Sequence, residues 1–150
     1  MILDAMSAAE VHSSRLFEAS RSEVFRAHAD PALLTQWWGP NGFTSTFHEF
    51  DFRPDGHWRF TFHGPDGKDY ENEWRFRDLV ENELIDFDHT VLPLFRMVIS
   101  LEEAEGGTLV RWQMTFEKAE VLKAIRHIIE PANEENFDRL AAVLRSMPES

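Results

Sequence analysis

The residues able to do chemistry cluster around one stretch, His57–His63, which reads HWRFTFH between two copies of the tripeptide PDG (Pro54–Gly56 and Pro65–Gly67). Two histidines six residues apart suggest a metal site. On an extended strand they stand about 20 Å apart at ~3.3 Å per residue, whereas zinc holds its nitrogens at about 2.0–2.1 Å. One ion cannot join them. The chain has no HExxH motif, no cysteine, no GxSxG elbow and no glycine loop opening a helix after a strand. No metal and no cofactor are assigned; only a spatial cluster of His48, His89 and His127 would leave a metal site open. Arg59, with acidic side chains expected on both sides, reads as part of a solvated cross-strand ladder worth ~0.2–1 kcal/mol per pair.

These side chains are positioned by strands. Val11–Ala19 reads as a first strand and Arg21–Ala29 as a short helix capped by Ser20 or Ser22. Asp30-Pro31 opens a second helix, since Asp caps free N–H groups and Pro at the first position loses no hydrogen bond. Gly39-Pro40 ends it. The period then changes to two, with strands at about 43–52, 57–63, 69–79, 83–90, 95–103 and 108–117. A helical segment near 119–129 and a longer helix from Pro131 to about Met147 follow, the latter with Phe137, Leu140, Ala141 and Leu144 on one stripe.

Turn chemistry predicts the register. Three-residue PDG loops place Phe52 opposite Trp58, Asp51 opposite Arg59, Phe50 opposite Phe60 and His48 opposite Phe62. The second loop places His63 opposite Asp69, Phe62 opposite Tyr70, Phe60 opposite Asn72 and Trp58 opposite Trp74. With Glu81-Asn82 as the next tip, Arg77 meets Asp86, Phe76 meets Phe87 and Trp74 meets His89. Around Glu105-Gly106, Ile99 meets Trp112, Met97 meets Met114 and Phe95 meets Phe116.

The expected result is an antiparallel meander with a salt-bridged outer face and an aromatic inner face. Phe50, Phe52, Trp58, Phe60 and Phe62 line the inner face from the first hairpin. Trp74, Phe76 and Phe87 follow, then Met97, Ile99, Trp112, Met114 and Phe116. Thr46, His48, Tyr70, Asn72 and His89 are expected among them. Buried and unpaired, such polar groups would cost roughly 1–3 kcal/mol each. A concave apolar wall with a few convergent polar groups is the usual composition of a small-molecule pocket; pairing among the polar groups themselves is the alternative. A histidine in such a place tends to be neutral and able to accept a proton. No catalytic residue is assigned, and His48, Tyr70 and His89 are the candidates for proton transfer.

The 150 residues fit one domain, expected over 11–147 behind a flexible tail at 1–10. A formal net charge of −12 argues against nucleic acid and anionic membrane surfaces as partners. No apolar run approaches the ~20 residues of a membrane helix. The lack of cysteine fits a cytoplasmic protein.

Four segments carry a family resemblance: EASRSEVFRAHADPALLTQWWGP (Glu18–Pro40), FDFRPDGHWRF (Phe50–Phe60), TLVRWQMTFE (Thr108–Glu117) and ANEENFDRLAAVL (Ala132–Leu144). The chain resembles the START-like, helix-grip (SRPBCC) superfamily, in the branch related to the activator of the ninety-kilodalton heat-shock protein ATPase (AHSA-type). The resemblance implies an α+β fold: a curved antiparallel sheet of about seven strands gripping a long C-terminal helix, with two short helices between strands 1 and 2. It also implies a cavity between sheet and helix, lined by the inner strand positions together with Asn133, Phe137, Leu140 and Leu144. Trp37 and Trp38 would pack near one end. Trp74 stands where relatives often carry a small residue, so with Trp58 it would wall or fill that cavity. The implied function is binding of a small apolar or aromatic ligand. The alternatives are a cyclase- or hydratase-like enzyme and a co-chaperone-like interaction domain with a chaperone partner; a homodimer is left open.

Overall fold

The computed structural model describes residues 9–147. Of the expected tail, residues 1–8 lie outside the described residues, and Glu10 already belongs to the first strand. The elements are β1 (Glu10–Phe17), α1 (Arg21–Ala29), α2 (Pro31–Trp37), β2 (Thr44–Phe50), β3 (His57–His63), β4 (Asp69–Val80), β5 (Leu84–His89), β6 (Phe95–Ala104), β7 (Gly107–Phe116) and α3 (Ala119–Ser146).

Local chemistry explains the helix starts. Ser20 accepts from the Glu23 N–H while the Glu23 carboxylate accepts from the Ser20 N–H, a reciprocal cap on α1. Asp30 accepts from the Ala32 N–H at the start of α2, with Pro31 at the first helical position.

The seven strands form one antiparallel sheet in the order β1-β7-β6-β5-β4-β3-β2. Beyond β1 this is a meander, and β1 closes it by pairing with β7. The sheet curves, its concave face is covered by the three helices, and the core lies between. Helix α3 runs along β1. Arg15 reaches Glu134 and Asp138, the Asn133 amide donates to Ser13 Oγ, and Arg126 donates to the Glu10 carbonyl.

Two hairpins have the expected register. His63 faces Asp69, Phe60 faces Asn72 and Trp58 faces Trp74. Across β6 and β7, Ile99 faces Trp112, Met97 faces Met114 and Phe95 faces Phe116. Two others differ. Between β2 and β3, Phe50 rather than Phe52 faces Trp58, and Glu49 rather than Asp51 faces Arg59. The connection runs over residues 51–56, not three residues. Its tip is held by β4, since the Asp55 N–H donates to the Phe76 carbonyl and the Phe76 N–H to the Gly56 carbonyl. Asp55, not a glycine, takes the left-handed conformation (φ 67°), while a Cβ on Gly56 would collide with the Asp51 carbonyl.

A β-bulge between Phe47 and Glu49 then inverts the alternation. Phe47 pairs with Phe60 and turns inward; Thr46 pairs with Thr61 on the outer face. In the β4–β5 hairpin a further irregularity between Phe76 and Leu79 moves Arg77 onto Asp88, leaving Asp86 to the Arg96 guanidinium.

The two expected C-terminal helices are one. Helix α3 continues through Pro131. Proline removes one backbone hydrogen bond, but Pro131 and His127, whose carbonyl loses its donor, are both exposed, so the loss falls on the solvent side of the helix.

Candidate functional site

The space between sheet and helices is filled. Trp58, Phe60, Trp74, Phe76, Phe87 and Trp112 are each at most 3% exposed. Met97, Ile99, Met114, Phe137 and Leu140 are buried beside them, and Phe50 and Phe62 are partly covered. The residual void in this interior is about 10 Å³, roughly one water molecule in size.

The side chain that does the filling was not among the expected cavity residues. Trp38 follows α2 and inserts its ring between the sheet's own aromatics. Ring centroids lie 5.2 Å from Trp58, 5.3 Å from Trp112, 6.1 Å from Trp74 and 6.2 Å from Phe87. Trp37 and Trp38 therefore do not simply cap one end. The sequence signal is the doubled tryptophan of QWWGP: one ring is spent on α1, and the adjacent one must point elsewhere. Trp58 and Trp74 stack 6.2 Å apart at 20°, and Trp38 closes the gap over them.

This interior is polar in an unusual way. Nε1 of Trp58, Trp74 and Trp112 and Nε2 of His28 are buried with no hydrogen-bond partner among the described residues. Each such group costs roughly 1–3 kcal/mol, and buried tryptophan N–H groups usually find an acceptor. His28 donates Nδ1–H to the Val24 carbonyl at 2.8 Å, so its Nε2 carries the free lone pair. Burial holds the ring neutral and pushes its pKa down to about 4.

The expected polar set does not converge. His48 lies on the outer face as a result of the bulge, 2.7 Å from Thr61 Oγ1, which in turn donates to Glu71. Tyr70 is 43% exposed and donates to Asp66, which raises its pKa. Asn72 and His89 do meet. His89 Nδ1 lies 2.8 Å from the Pro93 carbonyl oxygen, and Nε2 lies 2.9 Å from Asn72 Oδ1. Burial lowers the His89 pKa. The Asn72 NH2 group donates to the Tyr70 carbonyl at 3.3 Å, so its Oδ1 is the atom that faces the ring. Both imidazole nitrogens are engaged in holding the Thr90–Leu94 loop against β4.

Asn133 also serves structure, bonding Ser13 and touching the Met114 sulfur. His127 is exposed on α3, away from His48 and His89. Among the described residues no group of three His, Cys, Asp or Glu side chains is placed to hold a metal ion, and no helix is long and apolar enough to cross a membrane.

Open space lies at the end where this loop meets β7 and the start of α3. A cleft of about 390 Å³ is lined by His89, Leu94, Phe95 and Phe116 together with the polar Asp88, Thr90, Arg96, Thr115 and Glu117. A second, of about 270 Å³, shares Leu94 and Glu117 with it and adds Leu92, Pro93, Lys118 and Val121. Phe95 and Phe116 stack at 4.8 Å beneath the first. His89 and Phe95 pack on Trp74 at 4.8 and 5.2 Å, so Trp74 is the wall between the cleft and the Trp38-filled interior.

Comparison with known proteins agrees with this architecture. A protein from Arthrobacter aurescens superposes with a TM-score of 0.86 at 24% identity, over 96% of this chain and 90% of that one. A protein from Nitrosomonas europaea gives 0.85 at 17% identity, over 93% and 96%. The AHSA1 protein of Silicibacter pomeroyi gives 0.76 at 20% identity, over 92% and 99%. At these identities the likeness is one of fold. No curated protein is a significant match. The family model described as Activator of Hsp90 ATPase homolog 1-like protein matches residues 18–145, and with its sheet, paired short helices and gripped C-terminal helix the chain belongs to that family.

Proposed function

We propose that this domain binds a small apolar or aromatic molecule at the end of the sheet where the Thr90–Leu94 loop meets β7 and the start of α3. The observation that carries the reading is the pair of adjoining clefts sharing Leu94 and Glu117. The larger lies within the usual range for small-molecule sites, ~300–1,000 Å³. The floor is aromatic, and the rim carries Arg96, Lys118 and Glu117 for a polar end of the ligand.

The enzyme reading finds less support. His48 and Tyr70 stand apart from the cleft, and both nitrogens of His89 are engaged. The co-chaperone reading rests on the family description.

Calorimetric titration with 2-naphthol tests the proposal, with Val121→Glu placing a carboxylate in the apolar wall. The wild type is expected to bind with a micromolar dissociation constant, and Val121→Glu to lose that binding while keeping its melting temperature. Equal binding by both proteins, or none by either, would overturn the reading.

A further inference from the structure

The outer face of β2, β3 and β4 carries a series of side chains that the cleft does not use. His63 Nδ1 lies 2.8 Å from Asp69 Oδ1, and His63 Nε2 lies 2.8 Å from Thr46 Oγ1. A carboxylate only accepts, so a neutral ring carries its proton on Nδ1 and presents a lone pair at Nε2. The Thr46 hydroxyl donates to that lone pair. Hydroxyl, imidazole and carboxylate thus stand in the order, and within the reach, of a nucleophile, its general base and the group that orients the base.

Paired strands set this geometry. His63 and Asp69 are direct cross-strand partners. Thr44 faces His63, and Thr46 lies two residues further along the same face of β2, ahead of the bulge between Phe47 and Glu49. The adjoining series is wired differently. Thr61 donates to Glu71, so His48 donates its Nε2–H to Thr61 Oγ1. Thr61 has therefore given its proton to a carboxylate, and it is only 7% exposed. Thr46 is exposed, and among the described residues its hydroxyl bonds His63 alone. Of the two threonines, Thr46 is the one that an incoming carbonyl carbon can reach and that a base stands ready to deprotonate.

We propose that Thr46, His63 and Asp69 form an esterase-type centre that takes acyl groups from neutral, activated carboxylic esters. Thr46 Oγ bonds to the carbonyl carbon while its proton passes to His63 Nε2 and the carbonyl electron pair moves onto oxygen. As that pair returns, the bond to the leaving oxygen breaks, and the leaving group departs with its electrons and the proton from Nε2. Water then attacks the acyl-threonine and gives its proton to Nε2. The acid departs as Thr46 Oγ takes that proton back. Thr46 and His63 are the catalytic residues. Asp69 is a positioning residue whose charge stabilises the imidazolium. With Glu71 on the same face, it also disfavours an anionic donor. The centre shares no residue with the cleft at the far strands of the sheet, so either reading can fail alone.

The probe is p-nitrophenyl acetate, followed by p-nitrophenol release above buffer hydrolysis and by peptide mass spectrometry of protein quenched during turnover. The wild type is expected to release p-nitrophenol and to carry acetyl on Thr46. Thr46→Ser should keep both properties and Thr46→Val should lose both. His63→Gln should slow release at least about a hundredfold, as loss of a general base does. Asp69→Asn keeps an acceptor for the ring but not the charge, and should slow release about tenfold; Asp69→Glu should restore most of the rate. Unchanged melting temperatures establish that each variant is folded. A wild type no faster than buffer overturns the proposal. So does release by Thr46→Val or His63→Gln at the wild-type rate, or acetyl found on lysine residues alone.

Discussion

The two faces of β3 treat polar groups in opposite ways. On the outer face every polar side chain past the turn is engaged. Arg59 bonds Glu49 at 2.9 Å, Thr61 donates to Glu71, and His63 bridges Asp69 and Thr46, each at 2.8 Å. On the inner face Trp58 buries an indole N–H with no acceptor. Pairing is thus most complete where water would have served as well, and absent where its absence costs most. Outer pairs contribute solubility and register. The unpaired inner donors are a cost carried by an interior closed with indole rings.

The contrast can be broken most directly by truncating each face in turn. Trp58→Ala opens a cavity in a fully packed interior and should cost about 3–5 kcal/mol in urea unfolding. Arg59→Ala removes an ion pair between half-exposed partners and should cost no more than about 1 kcal/mol. Comparable losses for these neighbours would mean that the faces are not energetically distinct.

Acid provides a second, smaller test. Unfolded His28 binds a proton below its ordinary value of 6.5, whereas the buried ring does so only below about 4. The unfolded state therefore holds more protons in that window. Stability should fall as pH drops from 6.5 to 4, by about 3 kcal/mol for this group, and this contribution should level off below. His89, also depressed by burial, acts in the same direction. Urea unfolding at a series of pH values, repeated on His28→Leu, isolates the first contribution. An unchanged pH slope in His28→Leu would show that the buried imidazole is not the group that acid attacks.

The smallest effect expected concerns the outer face. Asp69→Asn leaves the His63 ring an acceptor on an exposed edge, and should change stability by no more than about 0.5 kcal/mol. A larger loss would show that the outer network does more than dress the sheet.

How much of this was legible differs from element to element. The β3–β4 register followed from Pro65–Gly67, because that turn's geometry involves only residues beside it. The β6–β7 pairing and the Ser20 and Asp30 caps are local in the same sense. The β2–β3 hairpin carries the same PDG tripeptide and behaved otherwise, since Phe76 of β4 captures the Asp55–Gly56 tip. The bulge between Phe47 and Glu49 sent His48 outward, and no residue near His48 announces it. Continuity of α3 through Pro131 likewise depended on which side of the helix faces water.

The sequence by itself determined the alternation of faces, the order of elements and the aromatic character of the interior, because backbone periodicity and short-range turn chemistry encode all three. Tertiary structure alone decided that the interior is full, and with what. Whether a concave wall encloses a cavity depends on the volumes brought to it from elsewhere in the chain, and here that volume is Trp38, carried in by α2 and strapped in place by Asn136 and Arg139 of a helix about a hundred residues away.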